Sequence, residues 1–218
     1  MPLNALFLLA TLKPTDARSF SHTRVLSDLL IEKLREQTVA SEVITLIDHH
    51  IPPGTKTDLG TDKNGLRDEW PMIVEKMLAA DILIFATPIW WGSPSSLMQR
   101  VVERLDELNV TLEETGSAGF LNKVGGMVIT GEEDGTQHVI GILSNFMAWN
   151  AITIPPAPSL SYLGSYDEKT PEALLARFKS QETTTGMADT LARNLASVAR
   201  ALKVNPIPAQ DKNAQYLR

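Results

Sequence analysis

The sequence predicts an α/β fold: a doubly wound, five-stranded parallel sheet with helices on both faces and a helical extension at the C-terminus. Three observations carry that expectation. Five short apolar runs recur along the chain, at residues 5–11, 42–47, 81–87, 124–130 and 151–154. Their hydrophobicity is nearly continuous instead of alternating, as in strands covered on both faces. Between them lie stretches with apolar residues at helical spacing, and strands alternating with helices imply right-handed crossovers in one open sheet.

Each element follows from its residues. After the first run, Val25, Leu26, Leu29, Leu30 and Leu34 form the stripe of a helix lying on a sheet. Residues 48–67 are polar and contain Pro and Gly, a loop of a length that is usually functional or mobile. Asp68 can cap a helix running to about Ala80, with Pro71 in the first turn where no intrahelical donor is lost. After the third run, Ser93 and Pro94 read as N-cap and first residue of a helix carrying Leu97, Met98, Val101, Val102 and Leu105. After the fourth, Val139, Ile140, Leu143, Phe146 and Met147 form another stripe, with Asn150 as its stop. From Thr170 and Pro171 onward a helical tail presents Met187, Leu191, Leu195, Val198 and Leu202 on one face, for the domain's own flank or an oligomer contact. The expected organisation is one domain over residues 1–165 and a helical extension over 166–218. A chain of 218 residues, 43% hydrophobic, is long enough to bury one large core.

Composition excludes several function classes. A net charge of −6, from 26 acidic and 20 basic residues, provides no general field for nucleic acid or an anionic membrane, and neither is expected as a partner. The absence of cysteine excludes disulfides, thiolate zinc sites, cysteine-ligated iron–sulfur clusters and a catalytic thiol, so redox chemistry would need a bound organic cofactor. The first ten residues are apolar but have no basic n-region or Ala-x-Ala-like site, and no apolar run reaches the roughly 20 residues that span a bilayer. A cytoplasmic setting is expected.

Open sheets of this kind bind ligands beyond the carboxyl ends of their strands, which singles out three loops. The first contains Thr11, Leu12, Lys13 and Pro14, then Ser19-Phe20-Ser21-His22-Thr23 at a helix start. Hydroxyls, free backbone N–H groups and the positive end of a helix dipole together suit a phosphate monoester; the plainer reading is that Ser21 only caps the helix. No G-x-x-x-x-G-K-[ST] occurs and no G-x-G-x-x-G follows the first strand, which disfavours ATP and a Rossmann-type NAD site. The second loop is Thr87-Pro88-Ile89-Trp90-Trp91-Gly92-Ser93-Pro94. Adjacent tryptophans at a strand tip point to opposite sides, so at least one should face the crevice, where a planar ring system would find an apolar wall. In the plainer reading one packs on a helix and the other is half-exposed. The third loop, Thr130-Gly131-Glu132-Glu133-Asp134-Gly135, lets main chain approach a ligand at its glycines, while nothing in its acidic run fixes a metal-ligand count. His49 and His50 read as surface residues, and the Asn109-Val110-Thr111 sequon is idle without a signal peptide.

At these three loops the sequence resembles the NADPH-dependent FMN reductase family of flavodoxin-like proteins, over about residues 4–164. The most specific piece is Ala86-Thr87-Pro88-Ile89-Trp90-Trp91-Gly92-Ser93-Pro94. The resemblance implies FMN, with Thr11, Lys13, Ser19, Ser21, His22 and Thr23 around its phosphate and Pro88, Ile89, Trp90, Trp91 and Gly92 around the isoalloxazine. Thr130, Gly131, Glu132, Asp134 and Gly135 would approach the pyrimidine edge. It further implies strand order 2-1-3-4-5, NADPH or NADH as hydride donor, a quinone, flavin or other small acceptor, and a homodimer or homotetramer. No residue is assigned an acid–base or metal-binding role, because the reactive atom belongs to the cofactor. The rival expectations are a flavodoxin-type electron carrier and, more remotely, a hydrolase, for which no G-x-S-x-G is present. Related loops often read Gly-Asn-Glu-Asp-Gly; here Glu132 replaces the amide.

Overall fold

The computed structural model describes residues 2–108, 119–132 and 134–209; the sequon at 109–111 and Glu133 lie outside them. Strands β1 (Leu3–Leu9), β2 (Val39–Thr45), β3 (Ile82–Trp90), β5 (Val124–Gly131) and β6 (Ser159–Leu163) form a parallel sheet in the order β2-β1-β3-β5-β6. The two-residue β4 (Ser93–Pro94) pairs back on the tip of β3, antiparallel. With β4 set aside, this is the expected flavodoxin-like 2-1-3-4-5 order.

Alternate residues of each strand go to opposite faces. From β1, Leu6, Leu8 and Ala10 join Leu83, Phe85, Met127 and Ile129 under α2 (Trp70–Ala79), α3 (Ser96–Arg104) and α4 (Thr136–Trp149). Leu3, Ala5, Phe7 and Leu9 join Ile82, Ile84, Val128 and Leu160 under α1 (His22–Glu36), α5 (Pro171–Ser180) and α6 (Glu182–Val204). The tail stripe lies on the molecule's own sheet: Ala188, Leu191, Ala192, Leu195 and Ala196 of α6 are fully buried there. Gly125 in β5 is required by close approach, since a Cβ would come within 2.3 Å of Met147 Sδ on α4.

Two expected elements are displaced. Residues 151–154 are not the fifth strand: Ala151 is left-handed at φ 57°, and Thr153 makes a single bridge to Val124. Pro155, Pro156 and Pro158 then remove the donors a ladder needs, so regular pairing begins at Ser159. Ser93 does not cap α3 either. It belongs to β4, and Ser95 is the cap, its Oγ accepting from Met98 N at 3.3 Å.

The 49–67 loop is fastened to the core. Arg104 is fully buried and donates to Pro52 O, Lys56 O and Thr57 O at 2.9–3.1 Å and to Asp68 Oδ2 at 2.6 Å. Asp68 also accepts from Leu59 N and Trp70 N, each at 3.0 Å, so it both closes the loop and starts α2. Burial pushes the Asp68 carboxyl up, but the Arg104 guanidinium and the two backbone N–H groups outweigh it and hold it below the usual range. Among the described residues no helix is long and apolar enough to cross a membrane.

Candidate functional site

The carboxyl ends of β1, β3 and β5 open into a cleft of about 460 Å³, within the size range of small-molecule and cofactor sites. Its floor is polar and buried. Thr11 lies two residues beyond β1, and Thr23 at the start of α1 meets Thr130 at the end of β5, their hydroxyl oxygens 2.6 Å apart. Ser21 is the N-cap of α1: its Oγ accepts from Arg24 N at 3.2 Å, which leaves its O–H free to donate. Lys13 Nζ donates to Phe20 O at 3.0 Å and folds the loop over the helix start, with two further N–H groups to offer. Hydroxyls, an ammonium and a helix N-terminus therefore converge on one end of the cleft, a constellation suited to a phosphate dianion.

The wall is the tip of β3. Its chain reverses through Trp91 and Gly92, with φ 50° and 77°, into β4. Two left-handed central residues define a type I′ hairpin, a turn that normally takes Asn-Gly, so a tryptophan at its first position is an exception. Both indoles line the cleft; Trp90 is half-exposed and Trp91 is 98% exposed. The hairpin is nonetheless held at its base. Ser95 N donates to Thr87 Oγ1 at 3.0 Å and Ser95 Oγ donates to Ala10 O at 2.7 Å, tying β3 to β1. His138 Nδ1, which must carry the proton, donates to Gly92 O at 2.9 Å. Gly135, at φ 118°, lies so close that a Cβ would be 2.6 Å from Gly92 Cα.

Of the sequence-expected residues, Thr11, Lys13, Ser21, His22, Thr23, Pro88, Ile89, Trp90, Trp91, Gly92, Thr130, Gly131, Glu132 and Asp134 line the cleft. Ser19 is exposed and off its lining, and Gly135 buttresses the hairpin from behind. Two lining residues had no expectation attached, Leu12 and Tyr166. Tyr166, from the β6–α5 loop, stacks on His22 with ring centroids 3.9 Å apart and planes at 14°. Burial lowers the His22 pKa and nearby Lys13 adds to it, with Glu132 and Glu168 pulling the other way. Burial, with Tyr162 beside it, pushes the Tyr166 phenol well above its usual value, so it stays protonated. Among the described residues no three acidic or histidine side chains cluster to hold a metal ion.

The model of the family described as NADPH-dependent FMN reductase matches residues 14–162. The chain belongs to that family. A 166-residue stretch, 74% of the chain, is 37% identical to 23% of a protein named divalent metal cation transporter MntH from Mycobacterium bovis. A second relative, the 8-demethyl-8-aminoriboflavin-5′-phosphate synthase of Streptomyces davaonensis, is 32% identical over 168 residues, 75% of this chain and 65% of the synthase. The chain thus spans less than two thirds of either relative. The crystal structure of RosB with the bound intermediate 8-demethyl-8-formylriboflavin-5′-phosphate superposes with a TM-score of 0.77 at 30% identity, covering 94% of this chain and 82% of that one.

Proposed function

We propose that this oxidoreductase holds FMN in the cleft, takes hydride from NADPH and passes the electrons to a small-molecule acceptor such as a quinone or free flavin. The observation that carries the reading is one cleft combining a buried hydroxyl floor at a helix N-terminus with an aromatic, main-chain-rich wall. The first suits the phosphate of FMN and the second its ring system. Bound FMN would supply the hydride-accepting centre, and the protein supplies position and electrostatics.

Ser21 and Thr23 would donate to the phosphate, with Lys13 supplying charge. Pro88, Ile89, Trp90 and Gly92 would lie along the ring, and Gly131, Glu132 and Asp134 at its polar edge. Trp91 is exposed at the mouth of the cleft, and donor and acceptor would approach the ring in turn from that side. NADH as an alternative donor and assembly into a homodimer or homotetramer belong to the same reading and rest on the sequence resemblance.

The test is anaerobic stopped-flow mixing of the FMN-loaded protein with NADPH, then with NADH, followed at the flavin band at about 450 nm. Rapid bleaching by NADPH is expected. A flavin that stays oxidised would leave an electron carrier of the flavodoxin type. The likeness to RosB favours one second reading, in which a riboflavin 5′-phosphate is the compound turned over instead of a resident cofactor. Mass spectrometry of the flavin after turnover separates the two: an altered mass supports the second.

A further inference from the structure

The strongest feature outside these loops is Tyr166, on a segment that the family-matched region does not reach. Its ring is carried from the far side of β5, beyond the edge strand β6, back to the first residue of α1. Three contacts hold it there. The ring stacks on His22 at 3.9 Å, the phenol donates to Tyr162 O at 3.3 Å, and the Tyr162 ring lies 5.5 Å away, tilted. The loop behind it is fixed from α5. Arg177 donates to Ser165 O at 3.2 Å, to Glu168 Oε1 at 2.9 Å and to the Tyr162 hydroxyl at 2.7 Å. An aromatic side chain braced in this way is a fixed wall, not a mobile cover.

Its position decides what it excludes. Thr11, Thr23 and Thr130 form the buried floor, and the stacked pair of Tyr166 and His22 stands beside that floor at the same end of the cleft. The paired rings are in contact, with no gap between them. A ligand whose chain stops at a phosphate monoester fits against such a wall. One that continues through a second phosphate into a ribose and a base must part the two rings or leave the floor.

We propose that Tyr166, braced on His22, is the specificity residue that makes this cleft accept FMN and refuse FAD. The proposal rests on the reading of the cleft as a flavin site. Discrimination here is repulsive: the wall adds little to FMN affinity and blocks the longer ligand.

The experiment is titration of the flavin-free protein with FMN and with FAD, for wild type, Tyr166→Ala, Tyr166→Leu and Tyr166→Phe, with a melting curve for each. The wild type should bind FMN at least about a hundredfold more tightly than FAD, and Tyr166→Ala should cut that ratio about tenfold or more, mainly by tightening FAD. Tyr166→Phe keeps the plane and should keep the ratio. Tyr166→Leu, which preserves apolar bulk without the stacked plane, should behave as Ala does and carries the test if the Ala variant does not fold. An unchanged ratio in the folded Ala or Leu variant, with FMN still bound, overturns the proposal alone. Parallel loss of both ligands does so too, because Tyr166 would then be a general contact. Failure of the wild type to bind FMN overturns the reading of the cleft, and this inference with it.

Discussion

Alanine at Gly135 and at Gly92 should have very different consequences, and the difference measures how firmly the aromatic hairpin is seated. Both glycines have positive φ, 118° and 77°, so either substitution places an L-residue in an unfavourable region, at about 1–2 kcal/mol. At Gly92 that is the whole penalty, because an added Cβ meets nothing within 4 Å. At Gly135 the Cβ would lie 2.6 Å from Gly92 Cα, 3.0 Å from its carbonyl oxygen and 3.1 Å from its carbonyl carbon, all backbone atoms that cannot rotate away. Relieving that overlap means moving the hairpin or the first turn of α4, a further cost of about 1–3 kcal/mol by analogy with overpacked cores. Gly135→Ala should therefore lose about 2–5 kcal/mol and Gly92→Ala about 1–2 kcal/mol. For a chain of this length each kcal/mol is about 2–4 °C in the melting midpoint. Urea denaturation and thermal melting of the flavin-free proteins read the stability, and FMN titration reads the wall. Gly135→Ala should also weaken FMN binding, since His138 and Gly135 together set the hairpin. Equal stability loss at the two positions, or intact FMN affinity in a clearly destabilised Gly135→Ala, would refute the idea that α4 seats the wall.

Replacing Ser21 and Thr23 together by alanine should weaken FMN binding by about 1–3 kcal/mol, the scale of hydrogen bonds to a charged group; unchanged affinity in titration places the phosphate elsewhere. Asp68→Asn leaves the Arg104 charge buried without its counter-ion and should cost about 3–5 kcal/mol at pH 7 in urea denaturation. The folded Asp68 carboxyl titrates below its unfolded value, so its contribution is complete above the usual aspartate range and disappears as pH falls through the folded pKa. The variant should lack that acid-side loss, and an identical acid-side slope would refute it. His22 has a folded pKa below its unfolded value, so its contribution is present above the usual histidine range and fades as pH falls. A phosphate beside it should raise that pKa, against Lys13 and with Glu132 and Glu168. Because the phosphate sheds its own second proton at about pH 6, the readout is a difference: wild type should take up more protons, or release fewer, on FMN binding than His22→Asn in calorimetry across buffers, and equal proton counts would refute it. Glu132→Asn should raise the flavin midpoint potential by about 5–20 mV, what an exposed charge worth about 0.2–1 kcal/mol gives in a two-electron couple, and equal potentials with FMN bound mean the carboxylate faces water.

The elements that could be read from the sequence are those whose partners are uniform. β1, β3 and β5 lie inside the sheet, buried on both faces, so their runs are apolar throughout, and α1, α3 and α4 show stripes because one side of each meets the sheet. The cleft loops were legible because they follow those strands. What could not be read depends on distant pairs. Arg104 looks like a solvated helix residue until Asp68, 36 positions earlier, is brought against it. Ser93 and Ser95 are equally good caps on paper; Ser95 prevails because its hydroxyl also reaches Ala10 O, 85 positions away, at the tip of β1.

The misplaced fifth strand and the overlooked Tyr166 have one cause. Residues 159–163, Ser-Leu-Ser-Tyr-Leu, form an edge strand in which only Leu160 is fully buried, so the segment is too polar to stand out as a run. Residues 151–154 are more apolar, yet a left-handed Ala151 and three following prolines keep them from forming a ladder. Placing the strand at 151–154 also places the loop beyond its carboxyl end at about 155–158, among prolines with nothing to offer a phosphate. Pairing Met127–Gly131 with Ser159–Leu163 moves that loop to residues 164–170. The rule that ligands gather at the carboxyl ends of parallel strands then points to Tyr166 without further information. The register of one edge strand thus decides which loop closes the cleft beyond β5, and that loop is the one whose Tyr166 meets His22 at the start of α1.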